Sequence, residues 1–312
     1  YVPELDFWQV GSRHLGLVLP GEIENLQEQM RQLGDCLEKT LDVDVLLKLG
    51  EKADIDVLGS VTVTADGSSQ KCEAQKNADL VLQNQFAGEK ISHSAIPIRL
   101  GVAWDEAFCF YYRDNLEFLE KQGVQIVQFS PVHDKHLPDD LDGLLLGGGY
   151  PELYAKALEE NETIRNEIRR KAEEDMPILA ECGGYLYLLK ELEDENGTGY
   201  EMAGVFSGKG YKKGKNSHFG YITVQTEKDS LYLKAGETIK GHEFHYWEST
   251  QDENELKMQA KKPTGKRSWP CVTVKNQVMA GFPHLYYPSL EGFGERFVQA
   301  CDRYRMKRKR QQ

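Results

Sequence analysis

This sequence predicts an α/β fold, a parallel sheet with helices on both faces, and three features carry the prediction. From Pro97 onward, short apolar runs of strand length alternate with amphipathic segments of helix length, which is the pattern of repeated β-α-β units. The run Leu144-Leu145-Leu146 ends in Gly147-Gly148-Gly149. The run Pro177-Ile178-Leu179-Ala180-Glu181 drives into Cys182-Gly183-Gly184 ahead of a helix-like segment, Tyr185 to Leu189. Glycines at the carboxyl end of apolar strands mark the sheet edge at which α/β proteins bind their ligands.

Taken in order, His14-Leu15-Gly16-Leu17-Val18 reads as a strand. Ile23, Leu26, Met30, Leu33 and Leu37, at three- and four-residue spacing, read as one helix over roughly 22 to 49. One strand and one helix cannot bury a core, so residues 1–58 read as the last β-α unit of an upstream α/β domain, and the sequence as the continuation of a longer chain. Residues 59–96 turn polar and lose periodicity, the mark of a linker. A strand at Ile98 to Trp104, a helix around Asn115 to Gln122, and strands at Val124 to Phe129 and Gly143 to Leu146 follow. A long helix between Pro151 and Glu174 then leads to the strand before Cys182. Beyond residue 200 the strand-like runs His218 to Thr226, Gly241 to Trp247 and Cys271 to Val278 predict an antiparallel extension. A helix at about Ser289 to Tyr304 precedes residues 305–312, whose basic run Arg305-Met306-Lys307-Arg308-Lys309-Arg310 reads as a solvated tail.

The 312 residues, 40% hydrophobic, suffice for a sizeable core. A net charge of −12 argues against nucleic acid or an anionic membrane surface as the main partner. The six cysteines, Cys36, Cys72, Cys109, Cys182, Cys271 and Cys301, form no C-x-x-C pair, which suggests reduced thiols and a cytoplasmic setting. No apolar run reaches the length of a membrane span.

Cys182 lies on a tight strand-to-helix turn, the shape of a nucleophile elbow. There the thiolate would face the partly positive N-terminus of the following helix, which predicts a lowered thiol pKa. Gly147, Gly148 and Gly149 would aim backbone N–H groups at the same place and form an oxyanion hole, provided the two strands are neighbours. A thiol nucleophile needs a base. His284, in Phe282-Pro283-His284-Leu285, follows a strand and precedes a helix, so it is expected at the active edge. His242 and His245, in Gly241-His242-Glu243-Phe244-His245-Tyr246, resemble a metal pair at first sight. Three residues apart on a strand they would point to opposite faces, so no metal is expected there, nor at the loop residues His133 and His136. No G-x-x-x-x-G-K-[ST] occurs, so no nucleotide cofactor is expected in this chain.

Leu146-Gly147-Gly148-Gly149-Tyr150-Pro151-Glu152, Ala180-Glu181-Cys182-Gly183-Gly184, Gly241-His242-Glu243-Phe244-His245-Tyr246 and His284-Leu285, in this order, resemble the glutaminase domain of the cobyrinic acid a,c-diamide synthase family. Asp105 to Tyr112 is similar to that family's loop after the first glutaminase strand, and Ser12 to Val18 to the end of its synthetase domain. The resemblance implies a flavodoxin-like class I glutamine amidotransferase sheet at 97–304, preceded by a remnant of a P-loop, dethiobiotin synthetase-like domain. It implies that Cys182 is the nucleophile, His284 its base and Gly147 to Gly149 the oxyanion loop, with Glu181, Gly183, Gly184, His242, Glu243 and His245 in support. The wider class carries Glu two residues after the histidine, whereas this chain has Tyr286, so the third member of the triad is open and Glu243 is a candidate.

The implied activity is glutamine hydrolysis that feeds ammonia to an ATP-dependent amidation of the a and c acetates of a corrinoid. ATP and Mg²⁺ belong to the full-length enzyme. Glutamine and the corrinoid are the implied partners, and a homodimer is open. Amidation of a different tetrapyrrole such as a nickel sirohydrochlorin, a non-catalytic subunit dependent on its partner, and a free-standing cysteine hydrolase remain alternatives.

Overall fold

The computed structural model describes residues 12–13, 16–17, 23–52, 96–213, 218–251, 258–264 and 267–311. The chain forms two units, 1–94 and 95–312. His14, Leu15 and Val18 of the first expected strand, and the expected linker apart from Ile96, lie outside the described residues.

In the first unit, Ser12–Arg13 pairs antiparallel with Gly16–Leu17. The single helix expected over 22 to 49 is two helices, Leu26–Thr40 and Val43–Lys52. Leu41 is extended, and the Asp42 side chain accepts from the Val45 N–H at 3.0 Å, capping the second helix.

The second unit is built on a six-stranded sheet in the order 272–275, 278–281, 178–181, 143–146, 98–103, 124–129. All neighbours are parallel except the first pair. The run expected as one strand from Cys271 to Val278 is therefore a hairpin, Val272–Lys275 and Val278–Gly281, turning at Asn276, a residue type that tolerates its φ of 53°. Both faces are covered. Leu144, Leu146, Ile178 and Ala180 pack with Leu158, Ile164 and Ile168, while Leu145, Leu179, Leu100 and Met279 pack with Leu119, Phe293 and Phe297. Continuous apolar strands such as Gly143–Leu146 are what a sheet buried on both faces requires.

The long helix expected between 151 and 174 is a 3₁₀ turn, Pro151–Leu153, and two helices, Ala155–Glu160 and Glu162–Glu173. It breaks at Asn161, whose side chain donates to the carbonyls of Pro131 and Asp134. The last helix is Phe293–Gln311, so the basic run is not a solvated tail. Arg305, buried, donates to the carbonyls of Ile96 and Pro97, and Arg308 donates to the Leu141 carbonyl and pairs with Asp142 at 3.2 Å.

The antiparallel extension is a five-stranded sheet in the order 268–270, 259–261, 218–225, 238–245, 284–285, beside a four-stranded one in the order 247–249, 209–212, 191–193, 199–201. The run expected as one strand from Gly241 to Trp247 is shared between them, as Thr238–His245 and Trp247–Ser249. No helix among the described residues is long and apolar enough to cross a membrane.

Candidate active site

Two parallel neighbours, Gly143–Leu146 and Ile178–Glu181, end together, and the residues just past them make the site. Cys182 has φ 48° and ψ −103°. The other described non-glycine residues with positive φ are Asn25, Asp140, Asp175 and Asn276, types that tolerate the left-handed region; a cysteine there, outside the left-handed helical well, is strained. The surroundings enforce it. Cys182 N–H donates to Gly281 O at 2.8 Å, Gly184 N–H donates to Gly147 O at 2.8 Å, and Leu186 N–H closes the first turn onto Cys182 O at 3.0 Å. Gly184 must be glycine, because a Cβ would stand 2.1 Å from Leu146 O.

The elbow and the glycine loop are in contact, as expected of neighbouring strands: a Cβ on Gly183 would lie 3.0 Å from the Gly149 amide nitrogen. The loop is not uniformly available, however. Gly147 N–H donates to Tyr111 Oη at 2.9 Å, and Tyr111 Oη–H donates to Ala103 O. Gly148 is bridged to Phe110 through its carbonyl, which accepts from the Cys109 and Phe110 N–H groups at 2.9 and 3.0 Å. Gly147 therefore offers no donor to the site, and the amide that faces the elbow is that of Gly149.

His284 reaches the same loop from the other sheet. Its ring lies against Gly148, where a Cβ would stand 2.3 Å from His284 Cε1. His284–Leu285 pairs antiparallel with Thr238–His245, with His242 directly opposite His284. Their rings stack at 4.6 Å and 12°, and His242 Nδ1 is hydrogen-bonded to Tyr112 Oη at 2.5 Å. Alternation along the strand puts Glu243 on the opposite face from His242, and so from His284. Glu243 instead accepts from Trp269 Nε1 at 3.0 Å and sits 3.5 Å from His245 Nε2. It does not serve as the third member of a triad with His284. The Tyr286 hydroxyl donates to Asp114.

What holds the histidine segment is Glu181, the residue before the nucleophile. Its Oε1 accepts from Tyr287 Oη at 3.0 Å and from Leu285 N–H at 3.3 Å. Asn115 completes the clamp, donating to Leu285 O at 2.7 Å and accepting from Tyr287 N–H at 2.9 Å. Tyr111 and Tyr112 entered the sequence reading only as the end of the loop Asp105 to Tyr112, and Asn115 and Tyr287 had no site role in it; only long-range pairing brings these four to the site.

Cys182 and His284 are 4% and 6% exposed, and burial governs their protonation. Burial first, then the carboxylate of Glu152, pushes the Cys182 thiol well above its usual range against a hydrogen bond from Gly183 N–H. The lowered pKa expected from the helix N-terminus is thus overturned: the following helix has only six residues, and desolvation outweighs it. Burial, then the neighbouring His242 and His245, lowers His284 to about 3. Both are neutral, so a thiolate can arise only by proton transfer to a base within the site.

Residues 99–290 match the model of the CobB/CobQ-like glutamine amidotransferase domain. Over 97% of its length the chain is 34% identical to a cobyrinate a,c-diamide synthase from Caldanaerobacter subterraneus subsp. tengcongensis, covering 61% of that protein. It is 35% identical over 93% of its length to the Syntrophotalea carbinolica enzyme of the same name, covering 58% of it. To the Salmonella typhimurium enzyme it is 37% identical over 79% of its length, covering 48%. The chain thus spans about half to three fifths of these relatives. The match over residues 99–290 takes in more than half of the chain, and the chain belongs to the family of CobB/CobQ-like glutamine amidotransferase domains.

Proposed function

We propose that this chain hydrolyses glutamine to supply ammonia for amidation of the a and c acetate side chains of cobyrinic acid. The observation that carries the reading is the strained Cys182, set on an elbow whose neighbouring glycine loop also receives the ring of His284. Cys182 Sγ attacks the glutamine side-chain carbon while its proton passes to His284. The oxyanion is met by the N–H groups of Gly149 and Gly183. His284 returns the proton to the departing nitrogen, ammonia leaves, and a thioester remains. Water, deprotonated by His284, then cleaves the thioester to glutamate and restores the thiol. Buried from solvent, the thioester is protected from stray nucleophiles.

The names of the relatives support the corrinoid as acceptor. ATP and Mg²⁺ do not fit these residues, because the sequence holds no glycine-lysine phosphate loop; we assign the ATP-dependent step to a synthetase domain. Free thiols at Cys36, Cys109, Cys182, Cys271 and Cys301 support a reducing, cytoplasmic setting.

The test combines the chain with the synthetase part of a cobyrinate a,c-diamide synthase, cobyrinic acid, ATP and glutamine. Glutamine-dependent amide formation is expected, with Cys182→Ala abolishing it while free ammonia still supports it. Amide formation from glutamine that survives Cys182→Ala would overturn the assignment.

A further inference from the structure

We propose that His218, Glu243 and His245 form a binding site for a divalent transition-metal ion, with Zn²⁺ the ion best matched to the donors. It lies on the face of the Thr238–His245 strand opposite His242, and it does not depend on the role given to Cys182.

Backbone register brings the three together. His218 stands directly opposite His245 in the antiparallel pair of His218–Gln225 with Thr238–His245, and Glu243, two residues before His245, shares its face. One ligand atom from each, all within 4.8 Å of one another, converge. Glu243 Oε2 is 3.5 Å from His245 Nε2 and 4.0 Å from His218 Nδ1. Zn–N and Zn–O bonds of about 2.0–2.2 Å in tetrahedral array place ligand atoms about 3.3–3.5 Å apart, so the Glu243–His245 pair already has the spacing, and the His218 side chain must close on the pair by roughly an ångström or less on average.

The second observation is an orphaned atom. His245 Nδ1 is 2.6 Å from Trp247 O, and a carbonyl only accepts, so Nδ1 carries the hydrogen. The buried Nε2 has no hydrogen-bond partner and confronts a carboxylate oxygen. Two acceptors facing each other in a buried space call for a cation between them.

The surrounding contacts are those of a built site. An imidazole whose other nitrogen donates to a backbone carbonyl, and a carboxylate that is itself hydrogen-bonded, are the usual supports of metal ligands. Here Trp269 Nε1 donates to both Glu243 oxygens, at 3.2 and 3.0 Å. The His218 ring stacks on Trp269 at 4.2 Å and the His245 ring on Phe282 at 3.9 Å. His218, with 18% of its side chain exposed, gives an entry path, and Glu248 Oε1 stands 3.8 Å from its Nδ1. Two imidazoles and one carboxylate suit Zn²⁺ over Mg²⁺ or Ca²⁺.

The test uses the chelator-stripped chain titrated with Zn²⁺ in competition with a chromophoric chelator, and in parallel with Co²⁺ followed by visible absorption. One equivalent of Zn²⁺ is expected, with Co²⁺ giving the intense d–d bands of a four-coordinate site and no thiolate charge-transfer band. His245→Ala should abolish stoichiometric uptake, and Trp269→Phe should weaken it about 10–100-fold. Glu243→Gln, whose amide oxygen still accepts from Trp269, should lose uptake with the fold retained, and it covers the case in which His245→Ala fails to fold. Cys182→Ser and His242→Ala should bind as the unmodified chain does. Absence of stoichiometric uptake would overturn the proposal. So would uptake that persists in Glu243→Gln or vanishes in Cys182→Ser.

Discussion

Glu181, which holds the His284 segment directly through two hydrogen bonds, and His284 itself depart from their ordinary pKa values in opposite directions. Burial lifts the Glu181 carboxyl to about 8 from an ordinary 4.5. Below pH 4.5 its stabilising contribution is fully present, and it is lost as pH rises through 8. His284, lowered to about 3 from 6.5, contributes fully above pH 6.5, and its contribution is lost as pH falls toward 3. Between 4.5 and 6.5 the two slopes, each about 1.4 kcal/mol per pH unit, oppose one another. Glu181→Gln keeps an oxygen for Tyr287 Oη and Leu285 N–H and removes one slope. Urea midpoints should show the variant gaining on the unmodified chain steadily from pH 4.5 to 8; parallel profiles would mean that Glu181 is ionised in the fold. At Gly148 a methyl group has no room beside the His284 ring. Gly148→Ala should leave the far-ultraviolet spectrum unchanged and lower glutamine turnover about 10²-fold by displacing the base. Full turnover would place the working base elsewhere. The placement of Cys182 on an elbow and of His284 beside the glycine loop was legible because each stands in a local context, elbow or strand end. The protonation of Cys182 was not, because desolvation is set by residues remote in sequence. Asn115 and Tyr287, 172 positions apart, have no local signal for the contact they make.

At the level of elements, the parallel strands read easily because a sheet buried on both faces leaves unbroken apolar runs. Boundaries failed where a single polar side chain decides them: Asp42 caps a new helix, and Asn161 ties a helix end to the loop at Pro131. The basic end of the last helix misled for a related reason, since composition shows charge but not the carbonyls that receive it. Arg305 bonds to two of these and is 3% exposed. Arg305→Ala should therefore lower stability by about 1.5–3 kcal/mol, the range for hydrogen bonds made by a charged group. A thermal unfolding shift equivalent to less than about 0.5 kcal/mol, typical of surface substitutions, would return the segment to solvent. In the core, Leu145→Ala should cost about 2–5 kcal/mol, because Leu145 sits between Leu100, Leu179 and the helices beyond them.

For the whole molecule, the family was legible from four motifs in register, and the match over residues 99–290 confirms it. The chain spans 61% of the Caldanaerobacter relative, and its sequence holds no phosphate-cradling loop. Calorimetry with ATP should show no binding at micromolar concentrations, whereas a micromolar isotherm would reveal a nucleotide site of another kind. The central claim is that Cys182 is the nucleophile that attacks glutamine, and covalent trapping tests it without any partner domain. A glutamine-analogue diazo ketone incubated with the chain, followed by peptide mass mapping, should place one label on Cys182. His284→Ala should slow the labelling strongly, and excess glutamine should protect against it. Labelling of Cys109 or Cys271 in preference to Cys182, or a rate indifferent to glutamine, would contradict the claim.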